Sequence, residues 1–266
     1  MPGSDVEPIT LVLLLIAAFG AGWVDAVVGG GGLIQLPALL IGLPPTTSPA
    51  TILGTNKLSS VWGTAMSSVT YAVKIKPDWR TIMPLVAGAA LGSALGAQLA
   101  KSLPRDYFTP IVLVALVVVG IYTWRRPQLG LTSARKYGGR AHYVRATLIG
   151  LGVGAYDGFL GPGTGSFFVI LLVAVLGYGF LEASAKAKIA NLTTNLAAII
   201  VFGLHGSVLW ILGLTMGAAN LLGGLLGAHM AIRHGNAFIR RIFLIVLTGL
   251  ILKLSYDTAR SLIGPS

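Results

Sequence analysis

The sequence predicts an all-α polytopic membrane protein made of two homologous repeats of about five hydrophobic segments, the second inverted relative to the first and each carrying a glycine-tipped helical hairpin. Three observations carry this reading. The 266 residues are 55% hydrophobic and only 10% charged, with a mean hydropathy of +0.82, whereas a soluble domain is about 25% charged. Runs such as 9–28 and 108–124 reach the roughly 17–25 apolar residues that cross about 30 Å of hydrocarbon as helix. The third is an internal duplication, described below. Backbone polar groups cannot stay unpaired in lipid, so the runs must be helices or a closed barrel. They lack the period-2 alternation of barrel strands.

Ten segments follow in order: 9–28, 33–43, 50–73, 81–100, 107–124, 146–160, 165–178, 184–204, 208–231 and 240–257. They divide the chain into a first membrane repeat (1–124), a basic linker (125–145) and a second membrane repeat (146–266). The first segment is flanked by Asp5 and Glu7 rather than by basic residues, so it is expected to be retained and not cleaved as a signal peptide. The absence of cysteine removes disulfides, thiolate chemistry and cysteine-ligated metals.

The net charge of +11 does not point to nucleic acid, because the basic residues sit in short tracts between apolar segments. The linker holds Arg125, Arg126, Arg135, Lys136, Arg140 and Arg145 without one acid and is expected to be cytoplasmic. Ten alternating crossings then put Lys74, Lys76, Arg80, Lys186, Lys188, Arg233, Arg240 and Arg241 on the same side. Lys101, Arg105, Lys253 and Arg260 fall outside with both termini. If segments two and seven only dipped in and out, Arg233, Arg240 and Arg241 would be external, so charge favours ten crossings.

The duplication is direct. "DAVVGGG" at 25–31 faces "DGFLGPG" at 157–163, and "WRTIMPLVAGAALGSALGAQLA" at 79–100 faces "WILGLTMGAANLLGGLLGAHMA" at 210–231. Trp79, Gly92, Gly96 and Ala97 meet Trp210, Gly223, Gly227 and Ala228, and Asn56 meets Asn191. An odd number of crossings per half makes the copies inverted, as in many transporters.

The chemistry-bearing residues gather at the duplicated motifs. Gly29, Gly30, Gly31 and Gly32 form one tip, with Gln35 just beyond, and Gly161, Gly163, Thr164 and Gly165 form the other. Irregular backbone at such depth is tolerated only where it faces protein or a water-filled cavity. The helix after each tip offers free N–H groups and a positive dipole end, which suits an anion; close packing is the plainer explanation. Asp25 and Asp157 precede the tips by one turn and read as coupling groups for a proton or cation, or as helix-end caps. Asn56 and Lys57 lie inside an apolar segment, and Lys188, Asn191 and Asn195 share one helical face. Lys57, Asn56, Asn191 and Asn195 are candidate substrate donors, while Lys186 and Lys188 are expected to snorkel to the interface.

Other signals are weaker. "GLGVGA" at 150–155 fits a dinucleotide pattern but has no preceding strand. Gly88, Gly92, Gly96, Gly223 and Gly227 read as helix-packing faces, with His229 a packing residue beside them. His142, His205 and His234 are expected in loops. No catalytic or metal motif of the H-E-x-x-H or G-x-S-x-G kind occurs, so neither a cofactor, a metal nor an enzyme activity is expected.

Taken together, "DAVVGGGGLIQLPALLIGLPP…SPATILGTNKLSS", the Trp–Gly–Ala pattern and the second copy from Asp157 resemble the TauE/SafE family of sulfite exporters over nearly the whole chain. The resemblance implies a bacterial inner-membrane permease for sulfite, organosulfonates or related sulfur oxyanions. Its partners would be a small anionic substrate and the lipid bilayer. The expected function is secondary transport of small anions by alternating access, possible proton coupling included, against the alternative of a scaffold or accessory subunit that transports nothing.

Overall fold

The computed structural model describes residues 7–44, 46–76, 78–100 and 131–263. The fifth segment, 107–124, and linker residues 125–130 lie outside the described residues. Among the described residues every regular element is a helix: α1 (Pro8–Val28), α2 (Gly32–Gly42), α3 (Pro49–Lys74), α4 (Trp79–Leu99), α5 (Gly139–Phe159), α6 (Thr164–Leu171), α7 (Phe180–Leu204) and α8 (Trp210–Ile263). A π turn, Leu172–Leu176, prolongs α6. Among the described residues four helical stretches are long and apolar enough to cross a membrane: α1, α4, α7 and Trp210–Val246 of α8. The protein is a multi-pass membrane protein.

Local chemistry sets the helix ends. Proline begins α1 and α3, where its missing N–H is not needed. Ser48 caps α3 by accepting from the Thr51 N–H at 3.1 Å. Gly29 and Gly177 close α1 and the π turn in the left-handed region, at φ 83° in both cases. The predicted ninth and tenth segments run as one helical path broken at Gly235, whose φ of 70° and ψ of −162° are not helical. α5 starts seven residues before its predicted segment, so His142 lies in a helix and is buried, and His234 lies in α8. Both were expected in loops; the helices simply run further than the apolar runs that announce them.

Two hairpins fold back on themselves. A Cβ on Gly42, at the end of α2, would lie 3.2 Å from Leu14 and Thr10 side-chain carbons near the start of α1. At the end of the π turn, the Ala134 N–H donates to the Gly177 carbonyl at 2.7 Å and Lys136 N–H to that of Leu176 at 3.2 Å. Each hairpin thus returns the chain to the end of the bundle from which it set out. With 11 residues in α2, or about 16 Å, and Thr164–Leu176 in α6 with its π turn, neither short arm crosses about 30 Å by itself. The expectation of ten full crossings is corrected here, yet the alternation of ends that it required is kept.

Segment 131–137 runs as a strap across one end. Arg135 pairs with Asp78, Ser133 accepts from the Gly179 N–H, and Asn236 joins Leu131 to Leu181. Beside it Thr81, His142 and Tyr178 share hydrogen bonds of 3.0–3.1 Å. The starts of α1, α3 and α8 gather at the opposite end, where the Leu209 N–H donates to Thr55.

Several helix pairs meet by backbone contact at glycines, α4–α5 and α1–α8 among them. On α4–α5, a Cβ at Gly92 would fall 2.2 Å from the Leu151 carbonyl oxygen, and one at Gly96 2.1 Å from that of Ala155. On α1–α8, Gly223 and Gly227 stand in the same way to Phe19 and Trp23, at 2.0 and 2.5 Å. Small residues admit this approach, which is how helices associate without a hydrophobic drive between them.

Candidate functional site

The two hairpin tips meet inside the bundle. The Ser166 N–H donates to the Gly29 carbonyl at 3.0 Å, and its hydroxyl to Val28 at 2.8 Å. A Cβ on Gly29 would sit 2.1 Å from the Gly165 carbonyl carbon, so only glycine allows the contact; its φ of 83° points the same way. Gly32 faces Pro162 and Gly161 across the junction with room to spare, at 3.5 and 3.6 Å from its Cβ position. Gly161, Gly163, Thr164 and Gly165 are all buried. Tyr156 braces this tip by donating to the Pro162 carbonyl at 2.6 Å, and Thr164 by donating to Gly161 at 2.8 Å.

One helical turn behind each tip is an aspartate, and each is paired across the halves. Lys57 of α3 lies 2.6 Å from Asp157 of α5, with side chains 3% and 1% exposed. Lys188 of α7 lies 3.2 Å from Asp25 of α1, the lysine fully buried and the aspartate 14% exposed. The Lys188 ammonium also donates to the Asp25 backbone carbonyl. Lys188 therefore does not snorkel: α7 starts at the strap, and eight residues carry it about 12 Å inward, beyond reach of the interface. Lys186 is also buried and lies over the Tyr178 ring at 4.0 Å.

Both carboxylates face lysines, and neither helix after a tip has a side-chain cap. Among the described residues, the second Asp157 oxygen, the Asn56 side-chain amide oxygen and the Ser59 hydroxyl are buried without a hydrogen-bond partner. Tyr71 closes the Asp25 side by donating to the Ala26 carbonyl at 3.1 Å.

The remaining expected residues line the helices around the junction. Gln35 donates to the Asn56 backbone carbonyl at 3.3 Å and accepts from Asn220 at 3.0 Å. Asn195 donates to Thr64 of α3 at 3.3 Å, and Asn191 is buried two turns or less from Lys188 on α7. Gly30 and Gly31 are buried too, but a Cβ on Gly31 would strike the Ala21 carbonyl at 2.4 Å. That glycine packs the turn before α2 against α1. Sequence reasoning passed over Asn220, whose buried amide ties α8 to α1 and α2; an amide inside an apolar segment was the available signal.

A family model described as "Sulfite exporter TauE/SafE" matches residues 14–254. A "Probable membrane transporter protein" of Haemophilus influenzae is 37% identical over 255 residues, covering 95% of this chain and 97% of its own. "Probable membrane transporter protein ORF9" of Sinorhizobium sp is 36% identical over 254 residues, 95% of each chain. YfcA of Escherichia coli K12, also a probable membrane transporter protein, is 33% identical over 255 residues, 95% of this chain and 92% of its own. No solved structure matches. With glycine-tipped hairpins at its centre and relatives covering nearly its full length, the chain belongs to the TauE/SafE family, a family of membrane transporters.

Proposed function

We propose that the protein is a secondary transporter of small anions, sulfite or organosulfonates, working by alternating access and coupled to protons at Asp25 and Asp157. It would work in the inner membrane without cofactor or catalytic step. The observation that supports this most is the junction of two glycine tips, each backed by a buried aspartate–lysine pair drawn from both halves. Buried ion pairs stabilise poorly compared with apolar packing, so their retention suits a switching role better than a structural one. Lysine ammonium, amide and backbone N–H groups are the donors an oxyanion needs. Protonating a carboxylate would release its lysine to the substrate.

The duplicated motifs, the matched glycine contacts of α4–α5 and α1–α8 and the return of each hairpin to opposite ends favour two inverted repeats. The strap end carries Lys74, Lys76, Arg80, Arg135, Lys136 and Arg233, which favours a cytoplasmic strap with both termini outside. Single cysteines in this cysteine-free chain test that orientation. Arg135→Cys should react with an impermeant thiol reagent in inside-out membranes and not in intact cells.

Flux in proteoliposomes tests transport. Labelled sulfite and a panel of sulfonates should enter loaded vesicles above the level of empty ones, faster under an imposed proton gradient. A scaffold or accessory subunit would give no uptake of any of them.

A further inference from the structure

The two lysines hold corresponding places. α3 starts at Pro49 and α7 at Phe180, and eight residues on from each start stand Lys57 and Lys188. Twenty-two residues on stand the buried aromatics Tyr71 and Phe202. Counted from the helix starts, Lys57 thus matches Lys188, and Asn56 no longer matches Asn191. Each lysine takes the aspartate of the other half, and both aspartates lie one turn behind tips that touch each other. Lys57 reaches the tip itself: its Nζ is 3.1 Å from the Cβ position of Gly161.

We infer that Lys188 is a second substrate-binding residue, and that each aspartate is a built-in stand-in for one negative charge of the substrate. This rests on the transport reading above and deepens it. A carboxylate offers an ammonium the same two-oxygen face that a sulfur oxyanion does, so anion and aspartate compete for one lysine. The exchange balances: the carboxylate takes up a proton, the lysine keeps its three, and the ion pair with Asp is replaced by one with the anion. One proton then accompanies each charge bound. A dianion engages both lysines and a monoanionic sulfonate only one, so the pair count sets selectivity for doubly charged oxyanions. The titratable groups facing the aspartates are Lys188 and Tyr71 at Asp25, and Lys57 and Tyr156 at Asp157.

The test is calorimetry of the purified full-length protein, in buffers of different ionisation enthalpy, with two probes. These are sulfite at alkaline pH, where it is a dianion, and isethionate, a permanent monoanion. The wild type should take up about two protons per sulfite and about one per isethionate. The double variant Asp25→Asn/Lys188→Gln removes one pair and leaves no unpaired buried charge, so it keeps its fold. It should bind sulfite about tenfold or more weakly, with about one proton, and isethionate within about threefold of the wild type. Lys57→Gln/Asp157→Asn should do the same from the other side. Unchanged sulfite affinity and proton count in both double variants, or anion binding without proton uptake in the wild type, overturns the inference and leaves transport standing. A wild type that neither binds nor moves any anion of the panel overturns the transport reading, and this inference with it.

Discussion

The two buried ion pairs have the same chemistry and different surroundings. Lys57–Asp157 is close, at 2.6 Å, and both side chains are shut away. Lys188–Asp25 is longer, at 3.2 Å, its aspartate is 14% exposed, and its lysine leans on a backbone carbonyl as well. The first is sealed by the second hairpin, whose tip residues Gly161–Ser166 are all buried. The second is less sealed, since its aspartate keeps 14% of its side chain exposed. One molecule therefore contains a closed and a part-open version of one device.

The strongest way to break the comparison is to remove one carboxylate at a time. Asp157→Asn strands Lys57 in a dry site, which costs about 3–5 kcal/mol for a fully buried pair. Asp25→Asn should cost clearly less, because Lys188 keeps the Asp25 carbonyl and water reaches that side. Thermal unfolding of detergent-purified variants, followed by tryptophan fluorescence, checks the order. Equal losses would mean that the two pairs are equally sealed.

Much of this could be read from residues alone, and the part that could not has a physical cause. Apolar length and the positive tracts were enough for α1, α4, α7 and the strap end, and the repeated Asp–Gly spacing marked both tips. The lysines' partners were not legible. Asp25 and Lys188 are 163 positions apart, and only the meeting of the two halves brings them together. Lys188 looked able to reach the interface because counting along a segment cannot reveal where its helix begins. Likewise the short arms α2 and α6 looked like crossings, because hydropathy measures composition rather than the path of a hairpin.

The tips supply the next test. Gly29→Ala drives a Cβ to 2.1 Å from the Gly165 carbonyl carbon, in a backbone region unfavourable to alanine. Overpacking of this kind costs about 1–3 kcal/mol or more, and the junction should part. Gly32→Ala meets nothing nearer than 3.5 Å and should keep its unfolding temperature within a few degrees of the wild type. If both variants behave alike, contact between the tips is not what the glycines serve, and the part-open pair would owe nothing to tip position.

The smallest expected effect lies at the strap, and it concerns only the open side. Burial by itself would raise the Asp78 carboxyl, but the hydrogen bond from Thr81, the Arg135 guanidinium, the Tyr178 hydroxyl and the Lys186 ammonium outweigh it and hold Asp78 below the ordinary carboxylate range. Tyr178, pushed up to about 12 mainly by burial, stays a neutral donor, and His142 is the remaining titratable neighbour. A carboxyl whose folded pKa is depressed contributes stability that is complete above its unfolded pKa and lost as pH falls through the folded value. The Asp78–Arg135 pair should therefore hold at neutral pH and loosen only in strong acid. Because Lys186 lies over Tyr178 two residues before Lys188, loosening should reach the Asp25–Lys188 side and spare Lys57–Asp157. Hydrogen exchange at the Ala134 and Lys136 amides, which bond Gly177 and Leu176, reports the strap directly. Compared with intrinsic rates, their protection should drop in acid for the wild type, and Asp78→Asn should show the lowered level already at neutral pH. Protection that is unchanged in the variant would mean that the backbone bonds alone hold the strap, and that acid reaches the open pair by another route.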